Sequence, residues 1–141
     1  MKIRYFFNYK EDFRISMNVL GNLLSNQLKK IKKNSITIFI PSVSIISLIF
    51  ISYLWKMRFE RYISYPLQVL FMKKVDVAHI IDHQYAHLVD FINAKKKIIT
   101  INDLVPIIYE KKLKKNNLLL KYSLSRIKNF DHIVSISEQS K

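Results

Sequence analysis

The chain has 141 residues, half of them hydrophobic, with 24 Lys and Arg against 10 Asp and Glu and a formal net charge of +14. This length predicts one domain, and the apolar content is sufficient for a packed core, which excludes wholesale disorder. The absence of cysteine excludes a disulfide scaffold, a cysteine zinc site and a thiol nucleophile. A single glycine, Gly21, excludes the common glycine-rich phosphate loops. The charge favours an anionic partner such as nucleic acid, lipid headgroups or a phosphorylated substrate, with a solvated basic surface as the alternative.

The first third of the sequence predicts a strand, a helix and a second strand. Residues 2–7 form a short apolar run typical of a strand, and no apolar run of signal-peptide length follows, which favours a cytosolic protein. Over residues 13–31, apolar side chains recur at spacings of three and four, which predicts a helix with one buried face. Residues 35–40 are β-branched and apolar at odd and even positions alike, which is typical of a parallel strand that is buried on both faces.

The segment 34–55 carries no charge and has two interpretations. As a single helix it would be long enough to cross a bilayer. Pro41 and four serines interrupt it, and its first third already has a strand pattern, so we favour a strand, a turn at 41–42 and an apolar helix that reaches Trp55. Residues 58–74 then mix basic and aromatic side chains, which is typical of a membrane interface or of a helix whose aromatic side packs on a sheet.

The second half of the sequence alternates strands and helices more regularly. Strands are predicted at 75–81, 97–101 and 132–136, and helices at 84–93 and 113–127. The whole chain therefore predicts an α/β fold, a Rossmann-like parallel sheet of about five strands with helices on both faces. Ligands of such sheets bind beyond the carboxyl ends of the strands, so the loops that follow the strands are the candidate site. These loops are 8–16, 41–44, 82–85, 102–106 and 137–140.

Three histidines within nine residues have the spacing of metal ligands, but they fall on different elements. His79 lies in the predicted strand and His87 in the following helix, so we expect no metal site and a core role for His79. His83 falls in the loop between them, where a side chain often contacts a ligand. Asp103 orients substrate hydroxyls or bonds its own turn backbone, and Ser137 caps a helix whose first amides can receive an anion.

Three stretches resemble, in order and spacing, the N-terminal half of the group 1, or family 4, retaining glycosyltransferases. They are VAHIIDHQYAHLV at 77–89, KIITINDLVP at 97–106 and FDHIVSISEQSK at 130–141, and FRISM near the N-terminus is similar as well. The resemblance implies a GT-B fold of two Rossmann-like domains, in which residues 1–141 are the acceptor-side domain and a second domain binds the sugar nucleotide. It also implies a reaction without a bound metal or another cofactor.

The resemblance implies roles for residues at the strand ends. Asn102 and Asp103 stand at the catalytic positions. The family has His where this chain has Asn102, and the Asn side chain can form hydrogen bonds but cannot take up or release a proton as His can. The loop after the first strand lacks the family's glycines, and the helix N-terminus near it partly replaces them. The substrate-binding positions are Arg14, Ser16, His83, Tyr85, Ser137 and Glu138.

The implied function is transfer of a sugar from a nucleotide-activated donor to a glycan or lipid-linked acceptor of a cell-envelope polysaccharide. The implied location is the cytoplasm, peripheral at the inner membrane face, and we expect a chain that stops before the donor domain to be inactive alone. Two alternatives stay open: a non-catalytic basic module that binds an anionic membrane surface, and a single-pass membrane protein spanning 34–55. Nucleic acid is not expected as a partner, because the basic residues are spread along the chain without a reader motif.

Overall fold

The structure is a computed structural model that describes residues 1–12, 15–31, 35–49, 52–101 and 118–135. Its centre is a five-stranded sheet with the strand order β2-β1-β3-β4-β5, and all four neighbouring pairs are parallel. This confirms the predicted α/β fold. The strands are β1 (Lys2–Phe6), β2 (Ser35–Phe39), β3 (Val75–Ile80), β4 (Ala94–Ile101) and β5 (His132–Ser135).

Helices of three kinds connect these strands. The α-helices are α1 (Ile15–Lys30), α2 (Tyr53–Phe59), α3 (Tyr65–Leu70) and α4 (Leu118–Ser125), and a π-helical segment (Glu60–Ser64) joins α2 to α3. Short 3-10 helices cover Lys10–Asp12, Ile45–Ile49, His83–Asp90 and Ile127–Asn129.

The central strands β1 and β3 are largely buried, whereas the edge strands β2 and β5 are mostly exposed. The prediction that residues 35–40 form a strand buried on both faces was therefore wrong, because β2 has a neighbouring strand on one side only. On one face, Ile3, Tyr5 and Phe7 pack against α1 through Met17, Leu24 and Leu28, which belong to the face predicted from the apolar spacing. On the opposite face, the core includes Phe6, Ile80 and Ile99 from the sheet and Tyr65 and Val69 from α3. The layers of α1 and of α3 therefore lie on opposite sides of the sheet.

Gly21 lies where α1 approaches the sheet most closely. A Cβ atom at this position would stand 2.7 Å from Cζ of Phe7 and 3.2 Å from Cδ1 of Ile81, and both of these side chains are buried. We expect Gly21→Ala to lower the free energy of unfolding by about 1–2 kcal/mol, because overpacking outweighs the higher helix propensity of alanine. Urea unfolding measures the change. The neighbouring exposed position is the control, since Asn22→Ala should stabilise α1 slightly, and a more stable Gly21→Ala variant would contradict the close approach.

The π-helical segment accommodates a proline in a nearly continuous helical run. Pro66 lacks an amide proton, and its ring conflicts with the carbonyl four residues before it in a regular α-helix. In the segment just before Pro66, the Tyr65 amide donates to the carbonyl of Glu60, five residues earlier, so the backbone is wider there. Tyr65 is completely buried against the sheet, as predicted for the aromatic side of this helix.

The prediction for residues 41–55 was wrong in part. The described structure has a 3-10 turn at Ile45–Ile49 and a separate start of α2 at Tyr53, where one apolar helix was predicted. Ser44 explains the difference, because its Oγ accepts a hydrogen bond from the Ile46 amide (3.2 Å) while its carbonyl accepts one from the Ser47 hydroxyl (2.7 Å). Such local bonds compete with a regular helix. Among the described residues, no helix is long and apolar enough to cross a membrane.

Residues 84–93 were predicted to form one short helix, and the structure differs from this prediction as well. The chain forms 3-10 turns over His83–Asp90, with a kink at Tyr85 (φ −100°, ψ 15°). Asp82 caps these turns by accepting a hydrogen bond from the Gln84 amide (3.0 Å). The tighter start turns the chain sharply at the end of β3 and brings Gln84 and Tyr85 over the edge of the sheet.

Candidate functional site

The strand order identifies one crevice at the carboxyl edge of the sheet. The connection from β1 leads to β2 on one side, while the later strands β3, β4 and β5 extend on the other side. Neighbouring loops diverge at such a switch between β1 and β3, and open α/β sheets bind ligands there. Phe6 and Ile80 pair at the ends of β1 and β3, so the segments 7–12 and 81–84 leave the sheet side by side.

Buried polar side chains form the floor of this crevice. The amide of Asn8 donates to Oδ2 of Asp82 at 2.8 Å, and both residues are 1% exposed or less. The Asn8 Oδ1 atom is buried and has no hydrogen-bond partner within the described residues. Buried polar groups are normally paired, and unpaired ones are concentrated at functional sites.

Arg61 joins three elements around the crevice. Its guanidinium donates to Asp12 (2.8 Å) and to Gln84 (3.1 Å), and it lies 5.1 Å from the centre of the Tyr85 ring. Burial alone lowers the pKa of Arg61, but the Tyr85 oxygen and the Asp12 carboxylate raise it above its usual range. The Tyr85 hydroxyl also donates to Asp12, and burial raises the pKa of Tyr85 well above its usual value. Arg61 therefore stays charged, and its guanidinium is paired with Asp12.

His87 fixes the backbone that carries Arg61. Its Nε2 lies 2.9 Å from the carbonyl oxygen of Arg61, which can only accept, so Nε2 carries the proton of the neutral ring. The Ser123 hydroxyl donates to the carbonyl oxygen of Gln84 at 2.6 Å and lies 3.0 Å from Nδ1 of His87. In this way α4 braces both the π-helical segment and the turn after β3.

A pH dependence of stability follows from two buried histidines. Burial lowers the pKa of His87 and of His79 to about 4, from 6.5. The unfolded chain therefore binds more protons than the folded one as the pH falls from 6.5 toward 4, and stability is lost in that window. Between pH 7 and about pH 5 we expect a loss of about 2 kcal/mol for each histidine. Urea unfolding at both pH values measures this loss. The unfolding free energy of His87→Gln should depend less on pH than that of the wild type, and an equal dependence would contradict the burial of His87.

A cleft of about 370 Å³ opens above this network. It combines cationic, hydrogen-bonding and apolar side chains, which suits a ligand with an anionic group, hydroxyls and an apolar portion. Arg58 is exposed, and its guanidinium lies 5.4 Å from the centre of the Trp55 ring. The cleft is lined by Asp12, Tyr53, Leu54, Met57, Arg58, Arg61, Tyr62, Gln84 and Leu119.

The structure places three of the predicted substrate-binding residues apart from the cleft lining. Tyr85 and His83 are 1% and 4% exposed, so both belong to the packed edge beneath the cleft, and Nδ1 of His83 lies 3.6 Å from Asp82. Ser16 is exposed in the first turn of α1. Their contact with a substrate stays a prediction. Five further predicted positions lie outside the described residues: Arg14, Asn102, Asp103, Ser137 and Glu138.

His79 has the core role predicted for it. It is 8% exposed, its Nε2 lies 2.8 Å from the Thr100 hydroxyl, and its ring lies 4.9 Å from the ring of Tyr5. His79 and His87 are each bonded to different protein groups, so the three closely spaced histidines do not converge. In the part of the chain that the structure describes, no three His, Asp or Glu side chains are grouped so that they could hold a metal ion.

The loops predicted as the candidate site include Asp12 and Gln84 of the cleft lining, although neither residue was named. Arg58 and Arg61 were placed in a basic and aromatic stretch outside the predicted site. A usable signal was present, because Asp12 and Gln84 follow the first and third strands at the one point where the strand order reverses. Comparison of the chain with models of known protein families, with curated proteins and with solved structures gave no match.

Proposed function

We propose that the chain is the acceptor-side domain of a retaining glycosyltransferase of GT-B architecture, which transfers a sugar from a nucleotide donor to a glycan or lipid-linked acceptor. One observation carries the proposal. The three stretches that resemble the family contain β3, the end of β4 and β5, which are neighbouring parallel strands with their carboxyl ends at one edge. The cleft opens at the same edge, beside the segment that follows β3.

The chemistry of the cleft supports an acceptor with a phosphate or diphosphate group. Arg58 offers a guanidinium that, within the described residues, has no ion-pair partner, and guanidinium groups bind phosphate oxygens with two parallel hydrogen bonds. Tyr62 and Gln84 offer hydrogen-bonding groups for hydroxyls, while Leu54 and Met57 offer an apolar wall. A lipid-linked sugar combines these three features in one molecule.

The proposal is tested by comparing acceptor and donor ligands on the purified chain. Calorimetric titrations would use a water-soluble, short-chain polyprenyl diphosphate sugar as the acceptor and a set of nucleotide sugars as donors. We expect the acceptor to bind at least about tenfold more tightly than any nucleotide sugar, because donor recognition belongs to the other domain of a GT-B enzyme. Preferred binding of nucleotide sugars, or binding of neither class, would overturn the proposal.

Two arginines provide a matched pair of variants. Arg58 lies over Trp55 at the cleft, while Arg126 lies over Tyr122 (5.0 Å from the ring centre) away from the cleft lining and pairs with Asp90. Arg58→Gln should weaken acceptor binding by about tenfold, whereas Arg126→Gln should leave it unchanged. Equal losses in both variants would mean that the ligand responds to the overall charge of the protein.

A further inference from the structure

The 3-10 turn at Ile45–Ile49 turns its large side chains outward. Ile45 and Ile49 are 84% and 77% exposed, and Leu48 is 69% exposed. Only Ser47 points inward, where it is completely buried and bonded to the Ser44 carbonyl. This distribution of side chains is the reverse of the one that the hydrophobic effect favours, because the polar residue is buried and the apolar residues are exposed to water.

The exposed side chains continue from this turn onto the neighbouring helix. The turn contacts α2, and Leu54 and Trp55 near the start of α2 are 67% and 60% exposed. Together these residues form a patch, here called the apolar surface. It consists of Ile45, Ile46, Leu48, Ile49, Leu54 and Trp55.

Hydrogen bonds hold the turn in place on the body of the domain. The Ser44 amide donates to Oε1 of Glu60 at 2.7 Å, and Glu60 is itself 1% exposed. The side-chain amide of Gln68 donates to the Ser42 carbonyl at 2.8 Å. The chain therefore enters the turn from an anchored position, and the outward direction of the isoleucines follows from it.

Within the described residues, one cation without an ion-pair partner lies beside the apolar surface. Lys56 pairs with Glu11 and Arg61 pairs with Asp12, whereas Arg58 has no such partner in the described part of the chain. Arg58 is exposed beside Trp55, with its guanidinium 5.4 Å from the centre of the indole ring. Large apolar side chains with tryptophan and flanking cations are the composition of segments that lie in the interface of an anionic bilayer.

We propose that the apolar surface inserts into the headgroup region of an anionic membrane. A lipid bilayer fits better than a folded protein partner, because the exposed side chains are large and apolar, include a tryptophan, and have the guanidinium of Arg58 beside them. Leu54 belongs to both the apolar surface and the cleft lining, so insertion brings the cleft to the bilayer. The inference is independent of glycosyl transfer and holds equally for a domain without catalysis.

Trp55 is the only tryptophan of the chain and reports directly on insertion. The test mixes the full chain with vesicles of equal parts phosphatidylglycerol and phosphatidylcholine, and separately with pure phosphatidylcholine vesicles. We expect the emission of Trp55 to shift to shorter wavelength with the anionic vesicles, to be quenched by lipids brominated on the acyl chains, and to persist in part at high salt.

Variants of exposed residues separate insertion from simple charge attraction. Ile45→Asn/Ile49→Asn should reduce vesicle partition by about tenfold without changing the melting temperature, because both side chains are in water in the free protein. Val19→Asn/Leu23→Asn is the matched control, since these residues are half-exposed on α1, on the opposite face of the sheet, and should have no effect.

Three outcomes would overturn the inference. In the first, the chain binds anionic vesicles but Trp55 emission does not shift and salt removes all binding, which is adsorption by charge alone. In the second, both double variants reduce partition equally. In the third, neither vesicle composition binds the chain, which would leave the apolar surface to a protein partner. Failure of acceptor binding in solution, in contrast, bears only on the proposed glycosyltransferase function.

Discussion

Arg61→Ala is expected to lower the free energy of unfolding by about 3–5 kcal/mol. The side chain of Asp12 is only 2% exposed and lies 2.8 Å from the Arg61 guanidinium, so the variant leaves a buried carboxylate without its countercharge. The same substitution removes the hydrogen bond to Gln84 and the contact with the Tyr85 ring. Urea unfolding at neutral pH measures the loss, and the turn after β3 should lose hydrogen-exchange protection with it.

A double variant isolates the charge pair from the packing of the arginine stem. Arg61→Met/Asp12→Asn removes both charges and keeps most of the side-chain volume, so we expect it to recover more than half of the stability lost in Arg61→Ala. A loss below about 1 kcal/mol in Arg61→Ala, which is the range of an exposed ion pair, would contradict the buried position of Asp12.

Glu60→Ala is expected to cost about 3 kcal/mol of unfolding free energy. The Glu60 carboxylate is buried and accepts hydrogen bonds from the Tyr9 hydroxyl (2.8 Å) and from the Ser44 amide (2.7 Å). Its removal deprives one buried donor and one partly buried donor of this acceptor, and each bond to a charged group contributes about 1.5–3 kcal/mol. Thermal and urea unfolding of Glu60→Ala test this expectation.

Glu60→Gln is the conservative comparison at the same position. Its amide has one oxygen acceptor, which can serve either the Tyr9 hydroxyl or the Ser44 amide, so we expect about half of the loss seen in Glu60→Ala. A shift of Trp55 emission in the free Glu60→Ala protein should accompany the loss, because Ser44 anchors the turn that contacts α2. Equal stability of the two variants and the wild type would show that the turn after β2 does not depend on Glu60.

The sheet could be predicted from the sequence because its strands carry their own signal. Residues 98–101 are β-branched or apolar at odd and even positions alike, which is typical of a strand between two helical layers, and Ile99, Thr100 and Ile101 are buried. The spacing of Met17, Leu24 and Leu28 likewise marks the buried face of α1, and all three pack on the sheet. Local pattern and burial agree in these two elements. Residues 35–39 have the same apolar pattern but form a mostly exposed edge strand, because the pattern does not specify the position of a strand in the sheet.

The turns at 45–49 and 83–90 could not be predicted in the same way. Their apolar residues suit a helix, but Ser44 and Asp82 bond the backbone locally and replace the regular helical pattern. The outward direction of Ile45 and Ile49 follows from an anchor to Glu60, sixteen residues away in the sequence. An anchor of this kind has no local signature.

The sequence predicted the edge of the sheet where the cleft opens but not the individual residues, because these come from distant parts of the chain. Asp12 and Arg61 are separated by 49 positions, and Tyr85 and Asp12 by 73, so no motif of fixed spacing joins them. Their pairing depends on the switch in strand order between β1 and β3, which a pattern of five alternating strands does not specify. The resemblance implies roles for residues after β1, β3, β4 and β5 but for none in the helical segments that carry Arg58 and Arg61.

The position of the bound ligand tests the central claim most directly, and the four methionines allow it to be measured. Met57 lines the cleft, Met17 packs on the opposite face with α1, and Met72 packs against the core near the end of α3. In a chain labelled at the methionine methyl groups, the soluble polyprenyl diphosphate sugar should shift the Met57 signal, assigned with Met57→Leu, and leave those of Met17 and Met72 in place. Binding that leaves Met57 unchanged, or that shifts Met17 instead, would contradict a ligand site at the crevice between β1 and β3.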